Sequence, residues 1–158
     1  MEPARLAALL ALLGPALAAQ GKPRQPSPAR AAHSALRGTI AVGETVRDSL
    51  SRHDRLLAAE GTYAQEWRLA GRTGQTVTID LSSDAFDAYA FLLGPGLERD
   101  QPQDDDSGGA CNARLTVRLP ETGDYYVVVT SSDKLATGAF VLTVTAGAKS
   151  KSLVPCNR

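Results

Sequence analysis

The chain is poor in the residues that build most metal and nucleophile sites. Its 158 residues include two His, two Cys, one Met and one Trp, and aromatic residues make up 5% of the total. So few His and Cys exclude a zinc site built from several nitrogen and sulfur ligands. An excess of either charge is also absent, because 17 basic side chains balance 17 acidic ones. We therefore predict no nucleic-acid partner.

What the chain does contain is enough apolar material for one folded domain. Hydrophobic residues make up 43%, and 14 Gly and 9 Pro supply many turns. This length accommodates one domain of ordinary size.

The N-terminus has the outline of a secretory signal peptide. Arg5 precedes an apolar run from Leu6 to Leu17, and Ala16-Leu17-Ala18 supplies the small residues of a cleavage site. A membrane-spanning helix needs about 20 apolar residues, so this run is too short. We predict a signal peptide over residues 1–18, no membrane insertion after cleavage, and a periplasmic or extracellular location. Residues 19–35, rich in Pro and basic residues, then form a flexible linker before a single domain over residues 36–158.

Export changes the interpretation of the two cysteines. Cys111 and Cys156 are the only pair, and an oxidising compartment favours a disulfide between them. The alternative is two free thiols. A disulfide would close a loop of about 46 residues and add about 3–4 kcal/mol by loop-closure entropy.

Alternation of apolar and polar residues predicts strands from Gly61 onward. Runs separated by Gly- and Pro-rich turns, without intervening helices, are typical of an antiparallel sandwich or barrel. The stretch 43–60 fits either a strand or a short helix. Six runs carry the pattern: Trp67–Leu69, Val77–Leu81, Tyr89–Leu93, Leu115–Leu119, Tyr125–Val129 and Phe140–Val144.

Acidic residues are concentrated in the middle of the chain. Between Asp80 and Asp106 there are eight acidic residues and one basic residue, Arg99. Oxygen ligands from separate loops suit Ca²⁺, which takes six to eight of them. The spacing does not match an EF-hand loop, and a solvated acidic loop is the competing interpretation.

An ordered series of short motifs resembles the bacterial pre-peptidase C-terminal domain, a small β-sandwich often appended to secreted peptidases. The resemblance covers about Leu36 to Ala146, and its specificity comes from the order of the fragments. They are Gly61-Thr-Tyr-Ala-Gln-Glu-Trp-Arg-Leu, Gly74-Gln-Thr-Val-Thr-Ile-Asp-Leu, Ser83-Asp-Ala-Phe-Asp-Ala-Tyr, Asp105-Asp106-Ser-Gly-Gly, Ala113-Arg-Leu, Leu119-Pro-Glu-Thr-Gly-Asp-Tyr and Gly138-Ala-Phe-Val-Leu.

The resemblance implies an all-β, jelly-roll-like antiparallel sandwich of about seven or eight strands. Some members bind Ca²⁺, and some bind collagen or polysaccharide. The implied metal ligands are Asp84 and Asp87 in the Ser-x-x-Phe-Asp-x-Tyr stretch and Asp105 and Asp106 in the Asp-Asp turn, with Asp104 as a further candidate. No peptidase domain precedes the sandwich in this sequence, so a role beside a peptidase would be played in trans.

Catalytic motifs are missing from the sequence. There is no Gly-x-Ser-x-Gly, no His-Glu-x-x-His and no phosphate-binding Gly loop. His33 lies in the linker, and His53 lies between Ser51 and Asp54, where neighbours in sequence rarely form a proton relay. A carboxylate pair for glycoside hydrolysis would lack a cleft in so small a sandwich. We predict that the protein is not an enzyme.

The aromatic residues divide between core and surface. Trp67 shares a strand face with Leu69, and Tyr125 with Val127 and Val129, so both are predicted to be core. Tyr126 then faces outward as a candidate ligand contact. The sequence thus predicts an exported binding or accessory module for an extracellular protein, matrix or polysaccharide. The alternative is a structural or chaperone-like partner of a separately encoded secreted peptidase.

Overall fold

Two β-sheets packed face to face make up residues 36–157, the part of the chain that the structure, a computed structural model, describes. The predicted signal peptide and linker lie outside these residues. Within the described range there is no helix of the length and apolarity that a membrane crossing needs. The strands are β1 Leu36–Thr39, β2 Thr45–Leu50, β3 Arg55–Leu57, β4 Thr62–Gly71, β5 Thr76–Ser82, β6 Ala88–Leu93, β7 Gln103–Asp104, β8 Ala113–Arg118, β9 Gly123–Ser131 and β10 Gly138–Ala146.

The strand order is that of a jelly roll. One sheet has the order β2-β10-β5-β8, and the other contains β4-β9-β6-β7. The chain alternates between the sheets except at the β6–β7 step, and these pairings are antiparallel. The predicted all-β sandwich is confirmed, with eight strands in this frame. Two short strands are additional: β1 pairs parallel with β4, and β3 pairs antiparallel with β4.

The core lies between the inner faces of the two sheets. Trp67 and Tyr125 both lie there, 7% and 0% exposed, as the alternation predicts. Leu69, Ile79 and Leu142 are fully buried beside them. Each such aliphatic side chain stabilises the fold by roughly 1.5–3 kcal/mol relative to an exposed position. The apolar alternation of β4, β5, β9 and β10 therefore positions both sheets.

Strand β6 is oriented opposite to the simplest interpretation of its aromatic run. Its inward residues are Ala88, Ala90 and Leu92, all 0% exposed, whereas Tyr89 and Phe91 are half-buried on the outer face. Both faces of this strand are apolar, so periodicity alone cannot decide which one is buried. Small alanines face inward here, where large core residues such as Tyr125 already occupy the interior.

The undecided stretch 43–60 contains strands β2 and β3 and no helix. A turn at residues 51–54 separates them. The carboxylate of Asp54 closes this turn by accepting hydrogen bonds from the backbone N–H and the hydroxyl of Ser51, at 2.7 and 3.1 Å. The amide of Gln65, on β4, donates to the same carboxylate oxygen at 3.2 Å. These bonds fix β3 against the edge of β4.

The C-terminal tail crosses the outer face of the β2-β10-β5-β8 sheet. Thr78, on β5, donates to the carbonyl of Gly147 and accepts from the N–H of Lys149, at 2.8 and 3.1 Å. Asp80 binds both Lys149 and Arg114, at 2.7 and 2.6 Å. The tail then reaches the predicted disulfide between Cys111 and Cys156, which the structure contains.

Candidate binding groove and carboxylate pair

The five predicted metal ligands do not converge on one point. Asp87 and Asp106 belong to a group whose candidate ligand atoms lie within 4.8 Å of one another, and the other two members of that group are the disulfide sulfurs of Cys111 and Cys156. Asp84, Asp104 and Asp105 are outside the group. The structure therefore brings together two of the five carboxylates, and the metal assignment stays a prediction.

Asp104 has a structural task of its own. One carboxylate oxygen accepts hydrogen bonds from the backbone N–H groups of Ser107 and Arg114, at 2.8 and 2.9 Å. The other accepts from the hydroxyl of Ser107. Carboxylates that accept several N–H and O–H groups hold turns in place. Asp104 thus ties the turn after β7 to the first strand residues of β8.

Asp87 lies at a junction of three segments. Its backbone carbonyl accepts hydrogen bonds from the Ser131 hydroxyl and the Ser132 N–H, at 2.8 and 3.0 Å. Its N–H donates to the carboxylate of Asp133 at 3.1 Å. Its side-chain Oδ2 lies 3.8 Å from the Sγ of Cys156. The carboxylate is therefore held beside the disulfide by the loop that follows β9.

The Asp87–Asp106 pair meets one geometric requirement of a calcium site. Two oxygens bound to the same Ca²⁺ at 2.3–2.6 Å lie at most about 5.2 Å apart, so a separation within 4.8 Å is compatible with a shared ion. Disulfide sulfur is a poor ligand for this hard cation. Further oxygens would have to come from backbone carbonyls and water. The pair fits calcium as a partial site.

A groove on the outer face of the other sheet carries the second candidate site. Two adjoining hollows of about 400 and 290 Å³ share the lining residues Glu60, Thr62, Tyr89, Gln103 and Ser131. Asp105 lines the first hollow, and Phe91 and Gln101 line the second. We call this surface the aromatic groove.

The floor of the aromatic groove is a pair of half-buried rings. The centroids of Tyr89 and Phe91 lie 6.0 Å apart with their planes inclined at 49°, within the usual range for interacting aromatic side chains. Both residues are on β6, two positions apart, so both side chains leave the same face of the sheet. The rings are positioned by strand geometry and need no movement of a loop to form a surface.

The groove has a negative electrostatic character. Burial, together with the carboxylates of Asp105 and Glu60, raises the pKa of the Tyr89 hydroxyl above its ordinary value. Each negative charge disfavours the tyrosinate, as does removal from water. The hydroxyl therefore stays protonated and donates a hydrogen bond of 2.7 Å to Oε1 of Gln103.

Tyr126, the sequence-predicted ligand contact, lies on the same sheet face but outside the aromatic groove. It is half-buried on β9, opposite Arg68 of β4 and Leu93 of β6. Its neighbours along that face, Val128 and Thr130, are buried. The face around Tyr126 is therefore not a wide exposed aromatic platform.

His53 is exposed in the turn between β2 and β3. Its backbone N–H donates to the Ser51 hydroxyl at 3.3 Å, and that hydroxyl donates to Asp54. The three residues thus form a local turn in which the serine oxygen serves the backbone. This geometry gives the imidazole no contact with the serine nucleophile that a proton relay would require.

Sequence reasoning did not predict that Tyr89 and Phe91 lie at the surface. The alternation assigned them, with Leu93, to an apolar run. One signal was available: the intervening Ala88, Ala90 and Leu92 make the opposite face equally apolar. With two apolar faces on one strand, the pattern leaves open which face is exposed.

Comparison with solved structures identifies the fold. The pre-peptidase C-terminal domain of a collagenase from Bacillus anthracis superposes with a TM-score of 0.50 and 14% identity, over 68% of this chain and 93% of that one. PliG from Salmonella Typhimurium, a periplasmic inhibitor of g-type lysozyme, gives a TM-score of 0.46 and 18% identity over 70% and 97%. PliG from Aeromonas hydrophila gives 0.44 and 15% over 70% and 100%.

No family model matches the sequence, and no curated protein matches it either. The assignment therefore rests on the strand order and on the superposition. At 14% identity the superposition supports a statement about the fold alone. The chain has the fold of a pre-peptidase C-terminal domain.

Proposed function

We propose that the protein is an exported, non-catalytic β-sandwich that binds an extracellular protein or polysaccharide through the aromatic groove. The observation that carries this proposal is the pair Tyr89 and Phe91, half-buried on a sheet face beside polar and acidic side chains. Aromatic residues that keep part of their surface in solvent supply contact area at little conformational cost. Strand β6 holds both rings in place.

A non-catalytic role is supported by how the chemically active side chains are used. Asp54 and Ser51 close a turn, and Asp104 ties a loop to β8. Each acts as a hydrogen-bond partner for the backbone, which is a structural use of these groups.

An exported location is supported by the disulfide between Cys111 and Cys156. Disulfides persist in oxidising compartments and are rare in the cytosol. The predicted signal peptide over residues 1–18 supports the same location.

We also propose that Ca²⁺ stabilises the junction beside the disulfide. Asp87 and Asp106 would hold the ion, which would offset the repulsion between two neighbouring carboxylates. The ion would have a structural use there, joining the loop before β6 to the loop before β8.

The test is retention of the purified oxidised protein on defined polymers and on secreted proteins. We would immobilise it through its N-terminus and present collagen, cellulose, chitin and the concentrated culture supernatant of the producing organism. The double variant Tyr89→Ala/Phe91→Ala should lose most retention. Tyr126→Ala, on the same face but outside the groove, is the matched control and should keep it.

The identity of what is retained separates the two candidate functions. Retention on collagen or a polysaccharide supports a binding module, and capture of a secreted peptidase supports the accessory role. If wild-type protein retains nothing, both are wrong. If Tyr126→Ala loses binding while the double groove variant keeps it, the ligand contacts another part of this face.

A further inference from the structure

We propose that the aromatic groove receives an exposed lysine or arginine side chain of a protein partner. This inference rests on the proposed binding function and narrows it to one class of ligand. It starts from the charges that line the groove. Glu60 lines both hollows and Asp105 lines the first, and both are exposed acidic residues. No lining residue in the described part of the chain is Lys, Arg or His.

The two carboxylates are available to a ligand. Neither Glu60 nor Asp105 makes a hydrogen bond or an ion pair with any residue between 36 and 157. The nearby Lys134 passes beside Gly61 but does not line the groove. An incoming cation would therefore meet two acidic side chains without displacing a partner from residues 36–157.

The rings add a second attraction for the same charge. A Lys or Arg cation placed over the face of Tyr or Phe is attracted by the electron-rich ring. Tyr89 lines both hollows and Phe91 lines the second, and the Tyr89 ring is oriented by its bond to Gln103. Burial raises the pKa of Tyr89, and the charges of Asp105 and Glu60 raise it further, so both carboxylates act at its hydroxyl. Aromatic and acidic groups thus select one kind of ligand.

Three neutral hydroxyls of the groove, those of Thr62, Thr130 and Ser131, are used by the fold. Thr130 donates to the Thr62 hydroxyl or the Tyr63 carbonyl, at 3.0 and 2.8 Å, and Ser131 donates to the Asp87 carbonyl at 2.8 Å. A sugar ring needs several free donors and acceptors in fixed positions. A cationic side chain is the better fit.

The probe for this proposal is a capped tetra-arginine peptide, titrated into ¹⁵N-labelled oxidised protein at low salt. We expect chemical-shift changes at the amides of Tyr89, Phe91 and Gln103. The variant Glu60→Gln/Asp105→Asn, both exposed positions, should weaken the peptide at least about threefold, and Tyr89→Leu should weaken it by a similar factor. Asp84→Asn, an exposed acidic position elsewhere, is the matched control and should leave the affinity unchanged.

Three results would overturn the proposal. The first is an absence of groove shifts with tetra-arginine and with tetra-lysine. The second is an affinity that Glu60→Gln/Asp105→Asn leaves unchanged. The third is cellohexaose or chitohexaose shifting the groove amides when the cationic peptides do not, which would assign the groove to a saccharide.

Failure of this inference differs from failure of the proposed function. Suppose that a natural ligand is retained and that retention depends on Tyr89 and Phe91. If it does not depend on Glu60 and Asp105, the binding function stands and a cationic side chain is excluded as the ligand group. If the cationic peptide binds in the groove but no polymer or protein is retained, the groove does bind a cationic side chain. The proposed function is then wrong.

Discussion

The hydroxyl of Tyr89 donates a 2.7 Å hydrogen bond to Oε1 of Gln103, which lies on the neighbouring strand β7. β7 has two residues, and its pairing places Gln103 opposite Phe91. The bond joins the edge strand to the ring beside it. The orientation of the Tyr89 ring, and with it the floor of the aromatic groove, therefore depends on this short strand.

The pKa of Tyr89 should fall toward its ordinary value when either neighbouring carboxylate is neutralised. Burial and the charges of Asp105 and Glu60 all raise it, so Asp105→Asn removes one cause. Titration of the tyrosine Cζ resonance by ¹³C NMR measures the pKa directly. Asp106→Asn, one residue along, is the control and should leave Tyr89 unchanged. An unchanged pKa in Asp105→Asn would contradict the placement of Asp105 at the groove.

The raised pKa of Tyr89 also makes the free energy of unfolding fall at high pH. A folded-state pKa above the unfolded value of about 10 means that the folded protein holds the Tyr89 proton more tightly. This contribution to stability is fully present below pH 10 and is lost as the pH rises through the folded-state pKa. Between pH 9 and pH 12, the free energy of unfolding should fall less in Tyr89→Phe than in the wild type, and denaturant unfolding measures it.

The disulfide should stabilise the domain mainly by holding the C-terminal tail. The double variant Cys111→Ser/Cys156→Ser is expected to lose about 2–4 kcal/mol of unfolding free energy. The N–H of Ser152 donates to the Ser107 carbonyl at 2.8 Å, and that of Ala110 donates to Val154 at 3.2 Å. Amide exchange at these two positions should accelerate before exchange in the strands does.

Asp80→Asn is the matched comparison for the tail. It weakens the ion pairs with Arg114 and Lys149 while the disulfide remains. Partly exposed pairs contribute on the order of 1 kcal/mol or less, so this variant should lose less stability than the cysteine variant. Equal losses would mean that the ion pairs hold the tail as strongly as the disulfide does.

Strand alternation predicts much of this fold because the core selects one face of each strand. Trp67, Leu69 and Val127 are inward at the positions where period-two patterning puts them. The order of motifs adds the jelly roll, which alternation by itself leaves open between a sandwich and a barrel. The short strands β3 and β7 were beyond this reasoning, because two or three residues hold too little pattern.

The site was harder to predict than the fold for two physical reasons. Tyr89 and Phe91 lie on a strand with two apolar faces, and only the bulk of the surrounding core decides between them. Asp104, Asp105 and Asp106 are consecutive in the chain, but a turn sends their side chains to a backbone cap, to the groove and to the disulfide. Closeness in sequence is therefore a poor guide to a shared ion.

The Tyr125 hydroxyl anchors the end of the sandwich, and its loss should be measurable. It donates to the Glu121 carbonyl at 2.7 Å and accepts from the Glu121 N–H at 3.2 Å. Tyr125→Phe leaves these backbone groups without the partner, at a cost of about 1–3 kcal/mol. Chemical denaturation measures it, and a loss near zero would mean that water replaces the hydroxyl.

Two glycines, one against the Tyr125 ring and one in open space, separate the effect of packing from that of backbone strain. Gly94 and Gly43 both have positive φ, at 155° and 96°, but a Cβ at Gly94 would collide with the Tyr125 ring, and one at Gly43 would meet nothing within 4 Å. Gly94→Ala should therefore lose more stability than Gly43→Ala, which carries the backbone cost of about 1 kcal/mol alone. Equal losses would mean that the ring moves aside.

Calcium should raise the melting temperature of the oxidised protein if Asp87 and Asp106 share an ion. Binding to the folded state adds about 2.7 kcal/mol at a hundredfold excess over Kd, which moves the midpoint of this domain by several degrees. The measurement is thermal unfolding in EDTA and then in millimolar Ca²⁺. Asp106→Asn, an exposed position, should abolish the shift, as should Asp87→Asn. Asp84→Asn, which lies outside the carboxylate pair, should keep it. No shift in the wild type would leave the acidic loops solvated, and loss of the shift in Asp84→Asn would place the ion nearer the start of the Ser83–Tyr89 motif.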